Sequence, residues 1–430
     1  MFIEEVNSTI DFLIDGSKSV IRYPALKLKE LFASVKGNAR VMIITYPGFS
    51  IPSAWLGAYQ SLFILSLGVS NLQYGNIIGI AIIVQIFAQL LGGVLADRYG
   101  HKRILDIFTL FWPLSVLVFA FAQNIWWVIP AIIMQNLLMI TTPSWYCLFV
   151  EGIPKNKRSN IYAVVHMLLN GGALFLPVAG LLIKFYGLDK ASRVIYLISA
   201  VLTSGAIYYR WKHMTETKLG EKARKEKKPI KIFVEAGRFR EAFKYLAGKK
   251  DLFWYGVVNV TFLCALTMWT SFNSIFLADT KAAAFKEWSI MVFPMISAIS
   301  FAVAIIVFVP LIRKHNYLKY IGIGIILNAI ASAFYIFAPA KSMTFIILSY
   351  MTYGAGLALF RPLYDARLIN AFKEKDRARL LSAYNTIVML PSIAIGPITG
   401  FLYTGNPRYV FIAATCMFAI SFLVLWKKVR

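Results

Sequence analysis

The sequence is poor in the residues that staple or equip most catalytic proteins. Of 430 residues, three are cysteine and four are histidine. Cys147, Cys264 and Cys416 stand singly inside apolar runs, which excludes a disulfide framework and a cysteine metal site. His101, His213 and His315 fall in polar segments. An intramembrane enzyme would need clustered ligands or a nucleophile beside a base, and neither is present, so the chain is not read as an enzyme. No G-x-x-x-x-G-K-S/T loop occurs, so ATP is not the expected direct energy source, and no cofactor or metal is implied. Charged residues make up only 15%, and acidic ones are the scarcer kind, 20 against 45 basic. No Asp or Glu falls in the middle of an apolar run. The start, MFIEEVNSTIDFLIDG, is acidic where a signal peptide would be basic, and no cleaved signal is expected.

What the chain has in abundance is apolar length. Apolar residues are 59% of the whole and the mean hydropathy is +0.65, which excludes an ordinary soluble domain. A span of roughly 20 residues in lipid must bond its own backbone, so helices are predicted rather than short alternating strands. About twelve such runs follow one another: 41–67, 74–96, 104–121, 126–150, 161–186, 194–209, 253–278, 288–312, 318–338, 343–366, 380–403 and 409–426. The expected class is an all-α membrane protein. A formal charge of +25 suggests nucleic acid at first sight. The basic residues, however, lie between apolar runs and in one central block, so the expected partner is a bilayer with anionic lipids at its cytoplasmic face.

Four regions are expected. Residues 1–38 read as a cytoplasmic amphipathic segment, 39–210 as a first six-helix bundle, 211–251 as a basic linker with a surface helix, and 252–430 as a second six-helix bundle. The two bundles repeat one another. KNKRSNIYAVVH at 155–166 parallels EKDRARLLSAYN at 374–385, and each is followed by Pro-x-x-Gly, Pro177 to Gly180 and Pro397 to Gly400. With the odd loops placed outward, those loops hold only Lys184, Lys190, Arg193, Lys281, Lys286, Lys341 and Arg408. Arg361 lies within a span, and every other basic residue falls on the even loops and tails. Both termini are therefore expected in the cytoplasm of a multi-pass plasma-membrane protein.

Between the second and third spans stands GVLADRYGHKR, with Gly93, Asp97, Arg98, Gly100, Lys102 and Arg103 crowded into one turn. It resembles the G-x-L-A-D-R-x-G-x-K-R signature of major facilitator transporters, with Val94 and Leu95 in the small apolar slots. The resemblance implies two pseudo-symmetric six-helix bundles with a substrate path between them near the midplane. It places the aspartate near the start of the eleventh helix, here near Arg379, as a latch that holds one state and breaks for the other. Glu151 with Arg158, and its counterpart Asp365 with Arg377, would join that latch, Glu151 pairing with Arg103 or Arg158. The turn of the second half, VPLIRKHNYLK, lacks the aspartate and glycines, so the latch is expected to be one-sided.

In this family the path is lined by the first, fourth, seventh and tenth helices. The polar and aromatic candidates there are Tyr46, Ser50, Trp55, Tyr59, Gln135, Asn136, Asn259, Trp269, Asn273, Tyr350 and Tyr353; several also read as interhelical hydrogen-bonders. Arg361 has two readings, an anchor for an anionic substrate group or a snorkelling arginine paired with Asp365. His166 is the midspan-side group that titrates near neutrality, and it also reads as a packing residue, so proton coupling is unproven. GALFLPVAGLL at 172–182 partly resembles an antiporter signature, keeping Gly172, Pro177 and Gly180 but placing Leu176 and Leu181 where glycines stand. The function expected is secondary or facilitative transport of a small organic solute by a monomer, with a lean to efflux of amphiphilic compounds. The alternatives are an uptake permease for a sugar or organic anion, and a sensor of the same fold that transports nothing. Reporter fusions at Lys281 and Ala223 should report opposite sides of the membrane; the same side at both would refute the topology.

Overall fold

The structure is a computed structural model, and it describes residues 35–151, 153, 165, 168–226, 248–308, 317–371 and 384–429. Its helices are α1 (Gly37–Thr45), α2 (Pro47–Ser66), α3 (Asn71–Tyr99), α4 (His101–Phe121), α5 (Ile125–Glu151), α6 (Leu168–Tyr186) and α7 (Leu188–His213). They continue with α8 (Lys218–Glu226), α9 (Lys250–Ala278), α10 (Glu287–Phe308), α11 (Tyr317–Phe337), α12 (Met343–Ala371), α13 (Tyr384–Gly405) and α14 (Pro407–Lys428). Eleven helices among the described residues are long and apolar enough to cross a membrane. The first span is the pair α1 and α2, which meet at Tyr46 just before Pro47; Pro52 is taken up inside α2. The expected surface helices at 1–34 and 232–246, the parallel of 155–166 with 374–385, and the second-half turn at 309–316 lie outside the described residues, wholly or in large part.

Short caps turn the chain back on itself. Ser70 Oγ accepts from Gln73 N–H while the Gln73 side chain accepts from Ser70 N–H, a reciprocal cap that starts α3. Gly100 and Gly187 take φ of +89° and +76°, the left-handed region where a Cβ clashes, and so permit the abrupt α3–α4 and α6–α7 turns. Asn124 and Asn406 cap α5 and α14 by accepting from Trp126 and Arg408 N–H. Three spans contain a 3₁₀ turn, Leu138–Thr141, Gly172–Phe175 and Glu287–Met291. Each ends shortly before a proline, Pro143, Pro177 or Pro294, whose missing N–H and bulky ring disturb the preceding α-helical turn.

Side chains then bond carbonyls of neighbouring helices at matching places in the two bundles. Ser115 Oγ donates to the Ala131 carbonyl between α4 and α5, and Ser349 Oγ to Ala331 between α12 and α11. Arg193 reaches the Ala120 carbonyl from the start of α7, as Arg408 reaches Ala338 from the start of α14. Thr203 donates to Gly48 on α2, and Ser421 to Val258 on α9. These three pairs express the internal repeat in tertiary contacts.

The bundles meet through glycine. A Cβ on Gly75 of α3 would lie 2.5 Å from the Gly396 carbonyl of α13, and one on Gly400 would lie 2.6 Å from the Asn71 carbonyl. On the other side of the pseudo-twofold, Gly180 of α6 faces Met291 of α10. The repeated Pro-x-x-Gly thus delivers a glycine to each of two pseudo-equivalent crossings, where side-chain-free backbone lets helices approach closely. Large apolar side chains such as Phe87, Val201, Phe401 and Trp426 point outward from the bundles; an apolar outer surface of this extent fits lipid. Gly396→Val should drive α13 off α3 toward ordinary helix spacing of roughly 8–10 Å. Spin labels at Ser70 and Thr404 should report the widening, and an unchanged distance would show that the crossing tolerates a side chain.

Candidate functional site

A cavity of about 260 Å³ lies between α2, α3, α5 and α9. Isoleucines 64, 77, 78, 82 and 132 form most of its wall, and Gln60, Tyr74, Gln85 and Thr267 supply its polar groups; no charged side chain lines it. The amides are held by other amides. Gln60 donates to Gln135 at 3.1 Å and Gln85 to Asn136 at 2.7 Å, while Asn136 donates to the Ile132 carbonyl at 2.7 Å. A buried amide left unpaired costs free energy, so these bonds fix the orientation in which Gln60 and Gln85 face the cavity. The sequence reading placed Gln135 and Asn136 on the path but passed over Gln85 and Thr267. Two glutamines one turn apart in an uncharged span, Gln85 and Gln89, were the available signal.

The second bundle contributes an aromatic cluster. Trp269 stacks on Tyr353 with ring centroids 4.1 Å apart and meets Tyr350 and Tyr335 edge-on at 5.3 and 5.6 Å. These geometries add attraction beyond the area buried. Trp269 is 2% exposed, and its indole N–H has no hydrogen-bond partner among the described residues.

The other path candidates are spread more widely. Trp55 donates to the Phe175 carbonyl at 2.9 Å, and Tyr59 donates across the interface to the Trp288 carbonyl at 3.4 Å. Ser50 is buried with its carbonyl against Gly172, and Asn273 caps Ser274 beside it. Asn259 is buried near Tyr384, and Tyr46 is buried at the α1–α2 break. Arg361 pairs with Asp365 at 3.1 Å, each nearly half exposed, which is the snorkelling geometry. His166, Arg158 and Arg377 lie outside the described residues.

The signature turn has a partner that its own residues did not announce. The carboxylate of Glu216, between α7 and α8, accepts from the N–H groups of His101 and Lys102, each at 3.0 Å, and from Thr217 N–H. The first N–H groups of a helix have no intrahelical acceptor, and Gly100 carries no side chain to serve them. Glu216 supplies the acceptor from a distant segment, and the dipole of α4 favours its charge. Gly100 is thereby required twice: a Cβ there would meet an unfavourable φ and lie 2.6 Å from the Glu216 carboxylate. Lys102 donates to the Trp211 carbonyl at 3.1 Å and lies 3.8 Å from Asp106. Arg98 and Arg103 face the Tyr99 ring at 5.3 and 6.0 Å. Gly93 has open space beside it and Asp97 is exposed. The start of the eleventh helix, expected near Asp97, lies outside the described residues. Glu151 accepts from Lys218 N–H at 3.2 Å, a contact that fastens the start of α8 to the end of α5.

Eleven helices among the described residues that are long and apolar enough to cross a membrane, arranged as two repeated bundles, define a helical membrane-protein fold. The family model described as Major Facilitator Superfamily matches residues 40–301 and 283–430, and the chain belongs to that family. Among curated relatives, a Na(+), Li(+), K(+)/H(+) antiporter of Planococcus maritimus is 26% identical over 134 residues, covering 30% of this chain and 32% of the relative. The multi-drug resistance efflux pump PmrA of Streptococcus pneumoniae is 25% identical over 154 residues, 35% of this chain and 38% of the pump. The multidrug resistance protein MdtG of Yersinia enterocolitica is 28% identical over 180 residues, 38% of this chain and 42% of the relative. The chain thus spans well under half the length of these relatives. A solved structure of a mutant of the nucleoside transporter NupG superposes with a TM-score of 0.72 at 14% identity, covering 91% of this chain and all of that one. A human organic anion transporter, MFSD10, gives 0.63 at 13%, covering 92% of this chain and 99% of that one. At such identities the likeness is one of fold.

Glu216→Gln keeps the shape and removes the charge that the α4 amides face. Charge-assisted bonds contribute about 1.5–3 kcal/mol, so amide exchange at His101 and Lys102 should quicken by roughly ten-fold or more. Unchanged exchange would mean that Glu216 is a spectator.

Proposed function

We propose that this protein is a transporter that carries a small, largely uncharged or weakly charged amphiphilic organic solute across the plasma membrane by alternating access, with efflux as the favoured direction. The observation that carries the reading is the cavity in the first bundle, met from the second by Thr267 of α9, whose wall is mostly isoleucine and whose polar groups are amides and hydroxyls with no formal charge. Such a site favours an apolar body with a few hydrogen-bonding groups over a multiply charged ion. The efflux direction rests on the partial antiporter motif at 172–182 and on the named relatives that are efflux pumps. In this reading residues 39–210 and 252–430 are the two rocking bundles, and 211–251 is the linker. The signature turn, the linker and both termini are cytoplasmic.

With that orientation, the glycine crossings of α3 with α13 and α6 with α10 seal the outer end. Asp97 and Arg98 then act in the opposite half of the cycle, when the cytoplasmic ends close. Asp97 is exposed here, as a latch residue is when its latch is open. Proteoliposomes assayed for uptake and efflux across drugs, sugars and organic anions, with and without a pH gradient, test the proposal. Flux of an amphiphile that Gln85→Leu slows several-fold is the expected result. Binding without flux of any solute would instead identify a sensor. Asp97→Asn should insert normally yet change turnover by roughly ten-fold, and wild-type turnover in that variant would remove Asp97 from the cycle.

A further inference from the structure

Hydropathy ends the sixth span at Tyr209 and leaves Arg210 just outside it, whereas α7 runs on to His213 and buries Arg210, which is only 6% exposed. Arg361 is therefore not the one arginine embedded in a helical span. Arg210 Nε donates to Thr45 Oγ1 at 2.7 Å, and its guanidinium carbon lies 4.2 Å from the centre of the Phe49 ring. Thr45 is itself tied back to the Val41 and Met42 carbonyls. The guanidinium is thus held in one orientation at the α1–α2 break, with Tyr46 as its one ionisable neighbour among the described residues.

Three other arginines bond oxygen. Arg193 pairs with Asp189 at 3.0 Å, Arg361 with Asp365 at 3.1 Å, and Arg408 bonds the Ala338 carbonyl. Among the described residues Arg210 faces no carboxylate, and its terminal nitrogens make no hydrogen bond. The guanidinium keeps its charge, and its terminal nitrogens hold what exposure the side chain retains, so an anion can reach them. A planar fork with free terminal donors matches the two oxygens of a carboxylate. The Phe49 and Tyr46 rings beside it suit an aromatic or apolar tail. The neighbouring Trp211 carbonyl accepts from Lys102, so Arg210 lies level with the signature turn, at the end proposed to open to the cytoplasm.

We infer that Arg210 is a substrate-specificity residue that binds the carboxylate of an amphiphilic organic monoanion at the α1–α2 break, with the apolar part of the solute against Phe49 and Tyr46. This deepens the transporter reading and rests on it. The test uses the full chain in phosphatidylcholine nanodiscs, with binding of naphthalene-2-carboxylate compared with that of its uncharged carboxamide. The wild type should bind the carboxylate about ten-fold more tightly, as charge-assisted bonding to a fixed fork requires. Arg210→Gln should erase the ratio, and Arg210→Lys should keep part of it through charge without the fork.

Equal binding of the two probes by the wild type overturns the inference without any variant, and so does a ratio that survives Arg210→Gln. Should Arg210→Gln fail to fold, Thr45→Val keeps the guanidinium but frees its Nε, and the ratio should then fall by roughly three-fold; an unchanged ratio would count against the site. Stabilisation by added phosphatidylglycerol with no response to the carboxylate would identify a lipid phosphate as the ligand and overturn the solute assignment. Proteoliposome flux separates the two proposals: absence of flux for every solute refutes transport, whereas the binding ratio judges Arg210.

Discussion

Hydrocarbon offers a peptide group no partner, and the architecture of this chain is a set of answers to that deprivation. Helices satisfy most of the backbone internally. Where prolines interrupt them, 3₁₀ turns carry the chain past the gap, as at Leu138–Thr141 and Gly172–Phe175. Serine and threonine hydroxyls and two arginines bond the carbonyls of neighbouring helices, Ser115 to Ala131 and Arg193 to Ala120 among them. The cavity amides obey the same rule, each of Gln60 and Gln85 being held by an amide of α5. Among the described residues the Trp269 indole N–H is a buried exception, and the Arg210 guanidinium makes its one hydrogen bond to Thr45.

With water excluded, the hydrophobic effect gives helices in lipid little reason to associate, so shape decides where they touch. Glycine supplies the shape. Gly75, Gly396 and Gly400 bring α3 and α13 into backbone contact, and Gly180 does the same for α6 against α10. Such contacts exclude water at one end without ion pairs or a large interlocking core, so they can separate without leaving unpaired charge behind. Charge is kept for the other end. There Glu216, Lys102 and Glu151 bind the α3–α4 turn, the end of α7 and the start of α8 into one block. The hydrogen-bonded block and the glycine crossings thus stand at opposite ends of α3.

Much of the fold was legible in sequence because hydropathy, prolines and loop charges are local or additive properties. The count of spans, the tight turn at Gly93 to Arg103 and the paired Pro-x-x-Gly segments could each be read from neighbouring residues, and each has a structural counterpart in the described helices. The candidate site was legible in part. Gln135, Asn136, Trp269, Tyr350 and Tyr353 stood out as polar or aromatic residues in apolar spans; the first two hydrogen-bond the cavity glutamines, and the last three form one aromatic cluster. The pairing of Asp365 with Arg361 was foreseen as one of two readings because the residues are four apart on one helix face. Glu216 lies in the stretch read as linker, and Arg210 lies one residue past the sixth apolar run, so hydropathy marks neither.

The sequence alone therefore determined the class, the helical repeat and the uncharged character of the spans, since these depend on composition along the chain. Tertiary structure decided which residues became neighbours across more than a hundred positions: Glu216 with His101, Arg210 with Thr45, Gly75 with Gly396. Hydropathy averages over a window and so treats an arginine at a helix end as solvated. Only the packing of α7 against the α1–α2 break shows that this one is buried, against Thr45 and Phe49.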